Sequence, residues 1–398
     1  MKRRIIFKIL LGILALFAIV AGGITCSTYI NRYSLLDYIK TFDKVQYSNQ
    51  LKPYYDEELE CYTFKTDEEF RVLQLTDLHV GGGKPTNAYD KKAINAVASM
   101  VSEEKPDLVI ITGDLVYPSP EEALTFNNLH AHTIVSSLMD QLGVYYTVTF
   151  GNHDSEVFNF FNRRAVGNFY DNLKSEFLLF DNGLKDITGE CNHYINIKNT
   201  QGLNTQTLYM IDSNAYYEYE TGWDYDYVRQ DQINWYEEKV KMMHNHNKVV
   251  SGNENTTMPK SLIFQHIPIL EFKEAFDIAW DEETKTFKDN TEVTYNFGRV
   301  GEPSPYVYPP LDSLDYFDKI VELDSTKGMF FGHDHLNNFS LTYKGVTFTY
   351  GLSVDYLAYG ADRGCTIITC KNDGSFSIKQ ESYYQDKYKV KEGIDKND

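Results

Sequence analysis

Basic residues are scarce: 38 Lys and Arg stand against 57 Asp and Glu in 398 residues, a net charge of −19. Four of them, Lys2, Arg3, Arg4 and Lys8, fall in the first eight residues, so the body beyond is more acidic still. Such a body repels nucleic acid and anionic membrane surfaces, and no nucleic-acid-binding surface is expected. An anionic substrate then needs a local source of positive charge, and no basic run supplies one. A metal site is the economical alternative. Cysteine is also scarce: the five (Cys26, Cys61, Cys191, Cys365 and Cys370) show no C-x-x-C spacing, so neither a zinc ribbon nor a disulfide framework is supported. Cys365 and Cys370 bound an apolar run, and extended chain puts them on opposite faces about 16 Å apart, too far to pair. No linker rich in Gly, Pro or Ser divides the chain, which favours one large folded body. With 42% hydrophobic and 15% aromatic residues, disorder and collagen-like structure are excluded.

One long uncharged stretch is present, at 9–31, and its first sixteen residues are almost wholly aliphatic or small. Behind the basic Lys2-Arg3-Arg4 flank it reads as a membrane-targeting segment. A cleaved signal peptide has an apolar core of roughly 7–15 residues and a small-residue cleavage site, which Ala21-Gly22-Gly23 offers. The core here is at the long limit, so an uncleaved anchor with the basic end inside is favoured. A lipid-modified Cys26 is a third reading, weakened by Thr25 before it. In each, the body leaves the cytosol, membrane-anchored or, after cleavage, secreted. The expected division is 1–31 as signal anchor or signal peptide, 32–60 as a stalk without sustained periodicity, and 61–398 as the folded domain.

In the body, short apolar runs at 71–76, 108–112, 144–150, 207–211, 261–264 and 328–331 read as buried strands. Stretches at 91–104, 121–141 and 231–243, with apolar positions three and four apart, read as helices between them. Alternating strands and helices argue an α/β body. The late runs 346–350 and 365–370 suggest antiparallel strands added to the same core.

Polar residues at the ends of five of these strands carry the chemistry. They are Asp77-Leu78-His79, Gly113-Asp114, Gly151-Asn152-His153-Asp154, Gln265-His266 and Gly332-His333-Asp334-His335. Strand C-termini of an α/β sheet converge on one crevice, which brings these side chains together. Asp77, His79 and His335 suit one cation; His266, His333 and Asn152 suit a second; Asp114 bridges both. Two divalent cations outweigh the two carboxylates and a bridging hydroxide by a single positive charge, so a phosphate is attracted despite the acidic body. His153 is placed to stabilise the transition state or protonate the leaving oxygen, with Asp154 orienting it, and Asp334 supports a ligand from behind.

These blocks, in this order, resemble the calcineurin-like metallophosphoesterases, over residues from about 71 to 360. The resemblance implies a four-layer α/β/β/α sandwich with a dinuclear site at the strand ends. Finer similarity at Phe264-Gln265-His266-Ile267-Pro268 and Gly298-Arg299-Val300-Gly301-Glu302 is to the small purple-acid-phosphatase-like branch, and marks Arg299 as a candidate phosphate contact. Gly113-Asp114-Leu115-Val116-Tyr117 fits the block whose tyrosine binds ferric iron in true purple acid phosphatases. Those enzymes have Gly where this chain has His79, so Tyr117 is read as support behind a ligand or as wall rather than as a ligand, and Fe, Mn and Zn remain open as the metal pair. The other five histidines, His130, His132, His193, His244 and His246, read as structural. Tyr216, Tyr217, Tyr219, Tyr225 and Tyr227, near Trp223, form either a substrate-cleft wall or an ordinary half-buried surface. The expected activity is metal-dependent hydrolysis of a phosphate ester by a metal-bridging hydroxide, a phosphomonoesterase by branch similarity. A phosphodiesterase of nucleotide or glycerophosphodiester type uses the same ligands. A metal-bearing surface binding protein without turnover is the alternative of another class.

Overall fold

The computed structural model describes residues 2–288, 290–359 and 362–397. Two sheets lie face to face. The five-stranded sheet has the order Phe376–Ser382, Gly364–Cys370, β1 (Phe70–Leu75), β2 (Leu108–Thr112), β3 (Tyr146–Thr149). β1, β2 and β3 are parallel, and Gly364–Cys370 runs antiparallel to β1. At the centre of the nine-stranded sheet, Asn204–Met210, β4 (Lys260–Phe264), β5 (Thr326–Phe331) and Val346–Tyr350 are mutually parallel. Strand periodicity explains the layering. In β1, Phe70 and Val72 point into the core between the sheets, where they meet Leu208, Leu262, Phe264 and Phe330. Leu73 and Leu75 point outward, into a second core with the helices Asn87–Glu104 and Leu129–Leu142. A third core packs Gln230–Ser251, Leu270–Ala279 and Tyr316–Leu323 on the outer face of the larger sheet. The result is the α/β/β/α sandwich expected.

Four local readings change or sharpen. The helix expected over 121–141 is two pieces, Pro120–Ala123 and Leu129–Leu142. Between them Leu124 takes a left-handed φ of 51°, and the Asn128 amide bonds the carbonyls of Asp154 and Phe161. Val346–Tyr350 is antiparallel to Ser340–Tyr343 as expected but parallel to β5 on its other edge. The segment expected as a stalk at 32–60 is built into the fold: helix α1 (Lys2–Ile39) runs on without a break, with Leu35 and Ile39 in the helix-side core, and Tyr54–Asp56 edges the larger sheet. Thr28, Asn31, Leu35 and Ile39 form one buried stripe three and four residues apart, and two polar members disguise its period. Finally, all five cysteines are free, with Cys365 and Cys370 in different cores on opposite faces of their strand.

Candidate metal centre

β1 to β5 all deliver their C-terminal ends to the same edge of the sandwich, where each passes into a motif loop. Backbone there is bent sharply: Asp77, His79, Asp114 and His333 have φ of 51°, 46°, 50° and 77°. Left-handed backbone at non-glycine residues costs about 1–3 kcal/mol each and persists where surrounding bonds over-determine it. Those bonds are present. The His79 amide donates to the Asp114 carbonyl at 3.1 Å, the Asp77 amide to that of Gly113 at 3.2 Å, and the His333 amide to the Asp77 carboxylate at 3.2 Å. Two glycines make room: a Cβ on Gly151 would stand 2.1 Å from Asp114 Oδ1, and one on Gly332 2.0 Å from Thr76 Oγ1.

All seven expected ligands converge in the buried cluster this creates. Asp114 Oδ2 is central, 3.1 Å from His266 Nε2, 3.8 Å from His79 Nε2 and 3.9 Å from His153 Nε2. On one side His335 Nε2 lies 3.2 Å from Asp77 Oδ1, and ligand atoms of Asp77, His79, Asp114 and His335 lie within 4.8 Å of one another. On the other side His333 Nδ1 is 3.1 Å from Asn152 Oδ1, and the His266 and His333 rings are 5.3 Å apart. The Asn152 amide donates through Nδ2 to Tyr216 Oη at 2.9 Å, which leaves its oxygen facing the cluster.

This donor set fits cations. Nε2 of His79 is buried without a hydrogen-bond partner, a costly arrangement in an apoprotein and the expected one for a ligand atom. His266 Nδ1 donates to the Thr112 carbonyl at 2.8 Å, so its Nε2 lone pair faces inward. Burial lowers the His79 pKa to about 4 and holds that of His333 well below the usual range, the latter aided by neighbouring His266, so both are neutral. Burial likewise opposes ionisation of Asp77 and Asp114, yet His335 and His266 respectively hold these carboxyls below their ordinary values. Against the opposing effect of burial, Asp114 raises His266 to about 9 and Asp77 holds His335 well above the ordinary imidazole value. The carboxylates thus draw positive charge into the cluster.

The supporting residues depart from expectation. Asp154 does not orient His153. Its carboxylate accepts from the amides of Gly151, Asp114, Leu115 and Val116 at 2.7, 3.1, 2.9 and 3.3 Å, and so shapes the loop carrying Asp114. Burial and then Asp114 raise its pKa to about 7. His153 instead donates from Nδ1 to Glu156 Oε1 at 2.6 Å, and Tyr216 Oη donates to the same oxygen at 3.0 Å. Asp334 accepts from Tyr350 Oη and from the Tyr308 amide, the latter at 3.2 Å, and burial raises its pKa to about 7. Tyr117 donates to Glu122 at 2.6 Å, and burial followed by that carboxylate pushes its pKa up to about 12, which suits wall rather than ligand. Arg299 pairs through Nη2 with Asp362 at 2.7 Å, both half exposed.

Sequence reading missed three residues here. Asp355 is buried with Oδ2 3.5 Å from His335 Nδ1. Arg163 donates to the Gly151 carbonyl at 2.7 Å and the Phe150 carbonyl at 2.9 Å, pinning the exit of β3. Neither carries a local signal. Glu156 does, because it lies three residues after His153 in a 3₁₀ turn, where such side chains eclipse. Beside the centre, Tyr225, Glu302, Pro303, Tyr308, Leu336 and Tyr359 wall a cleft of about 470 Å³ that also touches His333 and Asp334. The Tyr359 ring stacks on His335 at 4.5 Å and Tyr225 meets His333 edge-on at 4.3 Å. Of the five tyrosines noted in the sequence, Tyr225 lines this cleft, and Tyr216 holds Asn152 and Glu156.

The chain is 29% identical over 320 residues to "Probable inactive purple acid phosphatase 14" of Arabidopsis thaliana, covering 75% of this chain and 73% of that protein. It is 24% identical over 317 residues to "Probable inactive purple acid phosphatase 29" of the same plant, covering 75% of each. Among solved structures, a dimetal phosphatase from Danio rerio superposes with a TM-score of 0.51 at 11% identity, over 80% of this chain and 98% of that one. Residues 70–337 match the family model described as Calcineurin-like phosphoesterase, a stretch that contains every expected ligand. The chain belongs to the calcineurin-like phosphoesterase family of metal-dependent phosphoester hydrolases.

Proposed function

We propose that the protein is a membrane-anchored, extracytoplasmic phosphomonoesterase with a dinuclear centre. Asp77, His79 and His335 would hold one ion, His266, His333 and Asn152 the second, and Asp114 both. Fe, Mn and Zn are the candidate ions for this imidazole and carboxylate set. Two such cations, when bound, supply Lewis-acid charge for phosphoryl oxygens and lower the pKa of water. The chain's own residues do the rest. Glu156 fixes the His153 ring, whose Nε2 faces Asp114 Oδ2 at 3.9 Å and is positioned to give a proton to the leaving oxygen. Tyr225, Tyr308 and Tyr359 receive the alcohol portion and shield it from water.

The observation that carries the reading is Asp114 Oδ2 at the centre of three imidazoles within 3.9 Å, in a buried cluster. The names of the Arabidopsis relatives, purple acid phosphatases, favour a monoester over a diester. The anchor is supported by α1, long and apolar enough to cross a membrane and unburied along its apolar window, with a basic N-terminal flank. The word "inactive" in the relatives' names favours a second reading, a metal-bearing binding protein, and the intact His153–Glu156 pair weighs against it.

The test is metal content and turnover of the full chain in detergent, on an aryl phosphomonoester and an aryl phosphodiester, with and without chelator. Two metal ions per chain and chelator-sensitive monoester turnover that falls at least about a hundredfold in His153→Ala are expected. Diester turnover alone selects a phosphodiesterase. Bound metal with neither activity selects the binding protein, and a folded chain that takes up no Fe, Mn or Zn defeats the dinuclear centre.

A further inference from the structure

α1 does more than tether. Residues 5–24, uncharged but for Lys8 near the basic end, are exposed on every side, and twenty residues at about 1.5 Å each span about 30 Å, the thickness of a bilayer's hydrocarbon. The first docked side chain is Thr28, whose Oγ1 donates to the Leu124 carbonyl at 3.2 Å. Four residues of helix cover only about 6 Å, and the helix stays unbroken to Ile39 in the core. A domain held this way sits at headgroup depth in a fixed orientation.

The surface next to this junction is apolar. Leu124 and Phe126 lie in the break between the helices Pro120–Ala123 and Leu129–Leu142, and are 44% and 39% exposed. The Phe160 amide donates to the Phe126 carbonyl at 2.8 Å, and their rings stack with centroids 6.0 Å apart. Val157, Phe158 and Phe160 are 87%, 74% and 72% exposed. No charged residue interrupts 157–162. Single exposed apolar side chains are ordinary, but a contiguous aromatic cluster on a strongly acidic surface is not. The cluster also adjoins the chemistry, since loop 157–160 follows directly from Glu156, the residue that holds His153.

We propose that loop 157–160, with Leu124 and Phe126, is a bilayer-docking surface that turns the metal centre toward the membrane, so that the phosphate ester it takes is carried on a lipid. The inference rests on the reading of α1 as an anchor and of the centre as a hydrolase. The occupant follows from continuity: the patch joins the one helix among the described residues that is itself suited to lipid, at the depth where that helix emerges. The acidic body gives no attraction to anionic lipid, so docking is by insertion of Val157, Phe158 and Phe160 into the acyl boundary, and a neutral bilayer suffices.

The experiment reconstitutes the full chain in phosphatidylcholine vesicles. Phe158→Trp is made, and its added fluorescence over the parent is followed with lipids brominated along the acyl chains. Quenching of that added signal is expected; its absence, as when a second copy of the chain covers the loop, overturns the proposal. In parallel, the Val157→Ser, Phe158→Ser, Phe160→Ser triple variant is compared with the parent on phosphatidic acid in the vesicles and on a soluble aryl phosphate. Turnover of the lipid ester is expected to fall at least about tenfold and that of the soluble ester to stay within about twofold. Equal loss on both, or no loss on the vesicles, overturns the proposal. A parent protein that hydrolyses neither ester defeats the hydrolase reading instead, and the quenching at position 158 still decides docking.

Discussion

His153 is held by the residue three positions on, not by its neighbour in the motif. In the 3₁₀ turn His153–Ser155 the Asp154 carboxylate turns inward to four backbone amides, while Glu156 folds over the His153 ring. Two variants therefore separate two functions. Glu156→Ala is expected to lower kcat by about tenfold to a hundredfold with metal content unchanged, because it frees the ring without touching a ligand. Asp154→Asn turns an NH2 group toward amide donors and is expected to cost about 2 kcal/mol of stability and to lower metal occupancy. Denaturant melts and metal analysis of the purified variants check both, and an Asp154→Asn protein with full metal and stability would sink the assignment. The convergence of the candidate ligands was legible in the sequence because each follows an apolar run in a short motif. Asp355 and Arg163 were not: each acts through a contact distant in sequence, on His335 and on the end of β3.

Strand positions were legible because β1 to β5 are short, bounded apolar runs, and being buried on both faces they show no alternation to misread. Helix boundaries were harder where polar residues are buried. Asn31 on α1 donates to the carbonyls of Gly82 at 3.3 Å and Gly83 at 2.7 Å, and its own oxygen accepts from Asn87 at 2.7 Å. Thr28 and Asn31, both buried and polar, hide the period of the stripe that Leu35 and Ile39 continue, which is why 32–60 read as a stalk. The same bonds make α1 a brace for the loop that follows His79. Asn31→Ala leaves the Gly82 carbonyl and the Asn87 side-chain amide without these partners and the Gly83 carbonyl with Thr86 Oγ1 alone, and is expected to cost about 1–3 kcal/mol. Hydrogen exchange should speed up over residues 80–87 more than in β1 or β2. Uniform acceleration across the domain, or none, would show that α1 is held by Leu35 and Ile39 alone.

For the whole molecule, the decisive quantity is the contrast between a net charge of −19 and a centre that collects cations. A dianionic ester approaching in solution meets repulsion first and attraction only at contact. Mobile ions screen the long-range part, with a Debye length near 30 Å at 0.01 M salt and about 8 Å at 0.15 M, while the buried centre is screened far less. Added neutral salt is therefore expected to raise kcat/KM for a soluble phosphomonoester by roughly two- to tenfold between these concentrations, chiefly through KM. An anionic substrate steered by basic side chains behaves oppositely. A kcat/KM that falls with salt would mean that positive charge outside the metal centre guides the substrate, and among the described residues the cleft wall of Tyr225, Glu302, Tyr308 and Tyr359 offers none. Measured at constant metal saturation with a salt of weakly coordinating anion, the sign of that slope reports whether the cations are the source of attraction, as the acidic composition requires.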